Sequence, residues 1–129
     1  MSQENVEIVR AMFEAWNAGD QAVELYDPDV IVRNDEGWPE PGPFVGREAV
    51  IGWFEQLREA WDADTLEPIG DFIDAADHVV VRVVWRGVGQ GPESNIEFTG
   101  VYTVRRGKFI YMEFFWDHAD ALEAVGLPA

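Results

Sequence analysis

The sequence predicts an α+β fold in which N-terminal helices pack on an antiparallel sheet. Three observations lead there. Apolar residues recur at helical spacing twice in the first half, as Val6, Val9, Phe13 and Trp16 and again as Val50, Phe54, Leu57 and Trp61. From Thr65 onward the pattern becomes an alternation rich in β-branched and aromatic residues, cut by short turns. Helices followed by consecutive strands is the α+β order, not the alternating order of a parallel sheet. Residues 1–129 suit one domain, and a chain of this length can bury most of its apolar surface.

The elements follow in order. The first helix carries Val6, Val9, Phe13 and Trp16 on one face with Met12 beside them, and Glu4 and Glu7 suit the positive end of its dipole. Gly19 can take the left-handed conformation that ends a helix, and Asp20 can cap a very short second one. Pro28 lacks an amide proton and restricts its predecessor, so it stops that helix and hands the chain to a strand at 30–34. Residues 36–46, "EGWPEPGPFVG", hold three prolines and three glycines and read as a loop or lid. A third helix is expected over 47–63. Strands are expected at 66–73, where Pro68 marks an irregularity or edge, and at 78–87, 96–105 and 108–116. Arg106-Gly107 is a short turn between the last two. A final helix at 119–125 ends at Gly126.

Strand residues alternate between faces, which allows the interior to be read. Val79, Val81, Val83 and Trp85 form a wholly apolar face. Pairing Arg105 with Lys108 sets Val101 opposite Met112 and Thr99 opposite Phe114. That register sends Ile110, Met112, Phe114 and Trp116 towards the helices together with Val101 and Thr99. The opposite face keeps Val80, Val84, Tyr102, Val104, Phe109 and Tyr111. Such an apolar outer face calls for a partner, and a homodimer through it is expected.

Charge excludes several classes. The net charge of −16, with nine scattered basic residues, opposes binding to nucleic acid or to anionic membrane surfaces. No apolar run approaches the about 20 residues of a membrane-crossing helix. The acidic N-terminus lacks a signal-peptide pattern, so a cytoplasmic setting is expected. There is no cysteine, and the two histidines stand 40 positions apart, which argues against a metal site. With no glycine-rich phosphate loop and no GxSxG motif, no cofactor is expected.

The helix ending in "AWNAGD", the "YDPDV" step into a strand, the helix begun at Gly46 and the closing "RRGKFIYMEFFWDHADALEAVGL" together resemble the SnoaL-like family of the NTF2-like superfamily, over nearly the whole chain. The resemblance implies a cone-shaped, curved antiparallel sheet packed on N-terminal helices, a pocket between them, and dimers. Relatives include ketosteroid isomerase, limonene-epoxide hydrolase and polyketide cyclases, alongside many members with no known activity. The isomerase residues are missing here. Its two tyrosines fall at Met12 and Phe54, its general base at Asn34, and its protonated acid near Thr99 to Val101. The epoxide hydrolase's acids and arginine are not supplied by the inward positions either. A cyclase-like inward acid survives only as Asp117.

The candidate site follows from these placements. Met12, Trp16, Phe54, Val81, Trp85, Met112, Phe114 and Trp116 are expected to wall a pocket, with Trp38 near its mouth and Asn34 and Thr99 offering hydrogen bonds. Such walls suit a small apolar or aromatic molecule. Asp117-His118 is the best acid–base pair in the chain, although Asp117 also suits the cap of the last helix. Three functions stay open: a cofactor-free isomerase, cyclase or hydrolase, a ligand-binding protein without turnover, and a dimeric interaction module. Polar groups deep in a roomy cavity favour the first, an apolar cavity the second, and a filled one the third.

Overall fold

The computed structural model describes residues 2–128 except Pro39, Pro41 and Gln90, with the backbone alone at Ser2. Helix α1 is Ser2–Asn17 and ends as its sequence predicts. Gly19 has φ of 83°, and the amides of Gly19 and Asp20 donate back to Trp16 and Ala15 carbonyls at 3.0 and 2.8 Å. The Asp20 carboxylate accepts from the Ala22 amide at 3.0 Å, and the chain makes one 3₁₀ turn, Val23–Leu25. Strand β1, Tyr26–Asn34, then begins before Pro28 and not after it. Its pairing register shifts between Tyr26 and Ile31, so the ladder does not need the amide proton that Pro28 lacks.

The loop after β1 contains a strand that composition did not predict, β2 (Phe44–Val45), paired antiparallel with β1. Two of its prolines, Pro39 and Pro41, lie outside the described residues. Helix α2, Arg47–Glu59, stops short of residue 63, which leaves Trp61 beyond the helix. Four strands follow: β3 (Ala63–Ala75), β4 (His78–Val88), β5 (Ser94–Arg105) and β6 (Lys108–Phe115). Helix α3, His118–Ala124, comes last. The sheet order is β2-β1-β6-β5-β4-β3. β3 to β6 form the expected antiparallel meander, while β1 lies parallel to β6, so the sheet is mixed.

One irregularity decides which side chains reach the interior. Arg105 pairs with Lys108 and Val104 with Phe109, but Thr103 pairs with Tyr111, leaving Ile110 as an extra residue in β6. A one-residue shift exchanges the faces of everything beyond it. Met112 therefore stands opposite Tyr102, and Phe114 opposite Gly100. This corrects the sequence-based register: Thr99 and Val101 face away from α1 and α2, while Tyr102, Val104 and Phe109 face them. On β4 the expected assignment holds, and Val79, Val81 and Val83 are buried in the main core.

The outer face is partly covered by the chain itself. Val80 and Val101 pack with Ala121, Leu122 and Val125 around α3. Of the six residues expected on the outer face, Tyr102, Val104 and Phe109 are inside. Val80 keeps that face but lies under α3, and Val84 and Tyr111 remain there outside the α3 cluster. The chain's own helix is thus one partner of that face.

Gly100 is required by close approach. A Cβ there would lie 2.5 Å from the Tyr102 hydroxyl and 2.6 Å from the ring carbon bearing it. The ring is wedged among Phe13, Phe109 and Phe114, with centroids 5.9 to 6.0 Å away. Gly100→Ala is expected to lower stability by about 1–3 kcal/mol in urea titration, because the ring must leave its packed position. An unchanged midpoint would show that the ring does not sit over Gly100.

Candidate ligand cavity

A cavity of about 230 Å³ lies between the helices and the inward face of the sheet. Met12 and Trp16 of α1 and Trp53, Phe54 and Leu57 of α2 form one side, continued by Trp61. Tyr26, Leu66, Trp85 and Phe98 come from the strands, with Tyr102, Met112 and Phe114 closing the sheet side. Leu57 and Ile96, 41% and 39% exposed, mark the mouth, while Tyr26, Tyr102 and Met112, each 1% exposed, mark the closed end. Trp38 completes the wall from the loop after β1. Its ring stacks on Trp116 at 4.0 Å, and the Trp116 indole donates to the Glu36 carbonyl at 2.7 Å.

The rim is held by one carboxylate. Asp64, at the start of β3, accepts from the indole N–H of Trp16 at 2.8 Å and from that of Trp85 at 3.0 Å, both on Oδ2. Its Oδ1 lies 3.5 Å from Arg58 Nε, and the Asp64 side chain is only 6% exposed. The Arg58 guanidinium sits 4.3 Å over the Trp16 ring and donates to the Trp16 carbonyl at 2.6 Å. Elements from four parts of the chain thus converge on Asp64, which fixes two wall tryptophans by their polar edges and leaves their apolar faces to the cavity. A wider groove of about 560 Å³ opens to solvent on the polar side of this junction, beside Asn17, Gln21, Glu55 and Glu59. It does not enclose a ligand.

The wall also carries two phenols. Tyr26 and Tyr102 both face the cavity, and no hydrogen bond links either hydroxyl to another described side chain. Burial pushes both phenols well above their ordinary range, and at Tyr102 the neighbouring Tyr26 adds to the effect. They therefore remain protonated at ordinary pH and act as hydrogen-bond donors.

The sequence-predicted residues divide into those at the cavity and those elsewhere. Met12, Trp16, Trp38, Phe54, Trp85, Met112 and Phe114 all line it. Val81 is fully buried in the same core but stands behind the wall, opposite Gly100. Trp116 supports Trp38 without joining the lining. Asn34 is buried, and its amide donates to the Glu40 carbonyl at 2.8 Å, tying the loop to β1; its Oδ1 has no partner among the described residues. Thr99 is on the outer face, bonded to Arg82 at 3.0 Å and to His118 Nδ1 at 3.0 Å. The Asp117 carboxylate accepts from the Ala119 amide at 2.9 Å and caps α3. Asp117, His118 and Thr99 thus gather across the sheet from the cavity, which corrects the expectation that they serve it; the bulge at Ile110 is the cause for Thr99. Sequence reasoning missed Tyr26, Trp53, Leu57, Trp61, Leu66, Ile96, Phe98 and Tyr102 in the lining, and Asp64 behind it. Among the described residues, no cluster of three or more His, Asp or Glu is placed to hold a metal.

Asp64→Ala leaves two part-buried indole donors without their acceptor and removes the carboxylate beside Arg58, and is expected to cost about 2 kcal/mol in chemical denaturation. Asp64→Asn keeps an acceptor oxygen and should cost less. An alanine variant as stable as the parent would mean that the tryptophans are held by packing alone.

Comparison with known proteins agrees with this architecture. A family model described as the SnoaL-like domain matches residues 9–112. No curated protein sequence matches the chain. An NTF2-like protein of unknown function from Burkholderia pseudomallei superposes with a TM-score of 0.76 at 22% identity, over 95% of this chain and 98% of that one. TerC, co-crystallised with polyporic acid, gives 0.76 at 23% identity, over 95% and 98%. A candidate SnoaL-like polyketide cyclase from Jannaschia sp. CCS1 gives 0.75 at 18% identity, over 99% and 95%. At these identities the solved structures bear on the fold alone, and they bear out the NTF2-like α+β fold. Matched over most of its length, from α1 to β6, the chain belongs to the SnoaL-like domain family.

Proposed function

We propose that this SnoaL-like protein binds a small, flat, apolar or aromatic molecule in the cavity beneath its sheet. The observation that carries the proposal is the cavity wall itself, whose described side chains are all aromatic or aliphatic, with polar atoms confined to two phenols and to the indole N–H groups, of which those of Trp16 and Trp85 are bonded to Asp64. Burial of apolar ligand surface against such a wall is favourable at about 25 cal/mol per Å². The co-crystal of TerC with polyporic acid supports the choice of ligand class, since TerC shares the fold. Every wall comes from one chain, so the reading does not require the homodimer expected from the outer face.

Binding without acid–base turnover is favoured over catalysis. A general acid or base must reach the reacting atom, directly or through one water. Among the described residues no carboxylate or imidazole lines the cavity, and the Asp117-His118 pair is engaged with α3 and Thr99 on the other side of the sheet. The phenols hold their protons too tightly to act as bases.

Trp16, Trp38, Trp53, Trp61 and Trp85 all border the cavity, so naphthalene is expected to change tryptophan emission saturably and to raise the melting temperature. Neither a saturable change nor a thermal shift at the solubility limit would contradict the proposal.

A further inference from the structure

The inward face of β5 reads, from the mouth to the closed end, Ile96, Phe98, Gly100 and Tyr102. Gly100 leaves a gap in this row, and the Tyr102 hydroxyl fills it: a Cβ at Gly100 would meet that oxygen at 2.5 Å. The phenol therefore leans along its own strand towards the mouth, where a ligand would meet its O–H first. Tyr26 enters from β1, and both rings pack on Phe109, with centroids 5.3 and 6.0 Å away. Both side chains are 1% exposed and both line the cavity. Two phenols thus line the inner part of an apolar chamber and are close enough for Tyr26 to raise the Tyr102 pKa, with no hydrogen bond from either hydroxyl to another described side chain. Neither oxygen is among the fully enclosed polar atoms that lack a partner, so both hydroxyls are open to the cavity and a ligand acceptor can pair with them.

Size narrows the ligand further. A cavity of about 230 Å³ is smaller than the about 300 Å³ at which sites for drug-sized molecules begin. One or two fused rings fit such a space, and a large polycycle does not.

We infer that Tyr26 and Tyr102 form a paired donor site that selects a one- or two-ring ligand carrying a carbonyl-type oxygen at its inner end. The site rests on the cavity-binding reading above and adds polarity and direction to it: the oxygen lies inward on the phenols and the hydrocarbon edge faces Leu57 and Ile96. Both phenols remain donors across the neutral range, since burial raises their pKa.

The test compares indane with 1-indanone, which share a ring system and differ by one carbonyl oxygen. Affinities for both are measured by tryptophan fluorescence on the parent protein and on the Tyr26→Phe, Tyr102→Phe double variant. The expected result is a loss of about tenfold or more in 1-indanone affinity with indane affinity changed less than about twofold. The carbonyl stretch of bound 1-indanone should also fall in wavenumber relative to hexane, and return towards it in the variant. Retained indane binding shows that the variant is folded. Equal losses for both compounds, or no loss for either, overturn the phenol pair and leave the cavity reading intact, as does indane binding without 1-indanone binding. If the parent binds neither compound, both readings fall.

Discussion

The extra residue in β6 governs the chemistry of the interior. With Ile110 bulged out, each residue of β5 beyond Thr103 takes the face opposite to the one that even pairing would give it. A phenol enters the core, and a threonine and a valine leave it. The same shift gives α3 its seat, because Val101 joins Val80 on the outer face and the pair accepts Ala121, Leu122 and Val125. Thr99 then meets His118 and Arg82, which stitch the start of α3 to the sheet. One inserted residue thus separates the protein's apolar cavity from its most obvious acid–base pair.

Keeping a void open is a second physical problem. Closing the chamber would bring its apolar walls into contact, which hydrophobic burial favours. Collapse is resisted here by large rigid rings whose edges are pinned. Asp64 holds Trp16 and Trp85 by their indole N–H groups, Glu36 holds Trp116, and Trp116 holds Trp38 by stacking. Each tether lies behind or beside the cavity, so Trp16, Trp85 and Trp38 turn their apolar faces to it. The two phenols also line the wall, and the proposed recognition of a carbonyl oxygen rests on them.

Much of the fold was legible in the sequence because its signals are local. The stop at Gly19 needs only a residue tolerant of positive φ, and the three-four spacing of Val6, Val9, Phe13 and Trp16 marks a buried helix face without knowledge of the partner. Six cavity residues were found in the same way, as apolar positions on faces that periodicity identifies, and Trp38 by its place in the loop after the first strand. Tyr102 was not, although alternation along β5 marks its face as the apolar one, with Ile96, Phe98 and Val104 against Glu97, Thr99 and Thr103; even pairing with β6 through Met112 pointed the other way, and a bulge at an isoleucine has no compositional mark. Asp64 was missed because its partners are 48 and 21 residues distant along the chain. Strand β2 was hidden in a loop dominated by proline and glycine, where only pairing with β1 creates the element.

The claim on which the cavity, the α3 seat and the phenol site all rest is the register of β5 against β6. Side-chain NOEs in the free protein report it directly. The account predicts contacts from the Tyr102 ring protons to Phe13, Phe109 and the Met112 methyl, and from the Val101 methyls to Ala121 and Leu122. Contacts from the Thr99 and Val101 methyls to Met12 and Phe54, with the Tyr102 ring near α3, would contradict it.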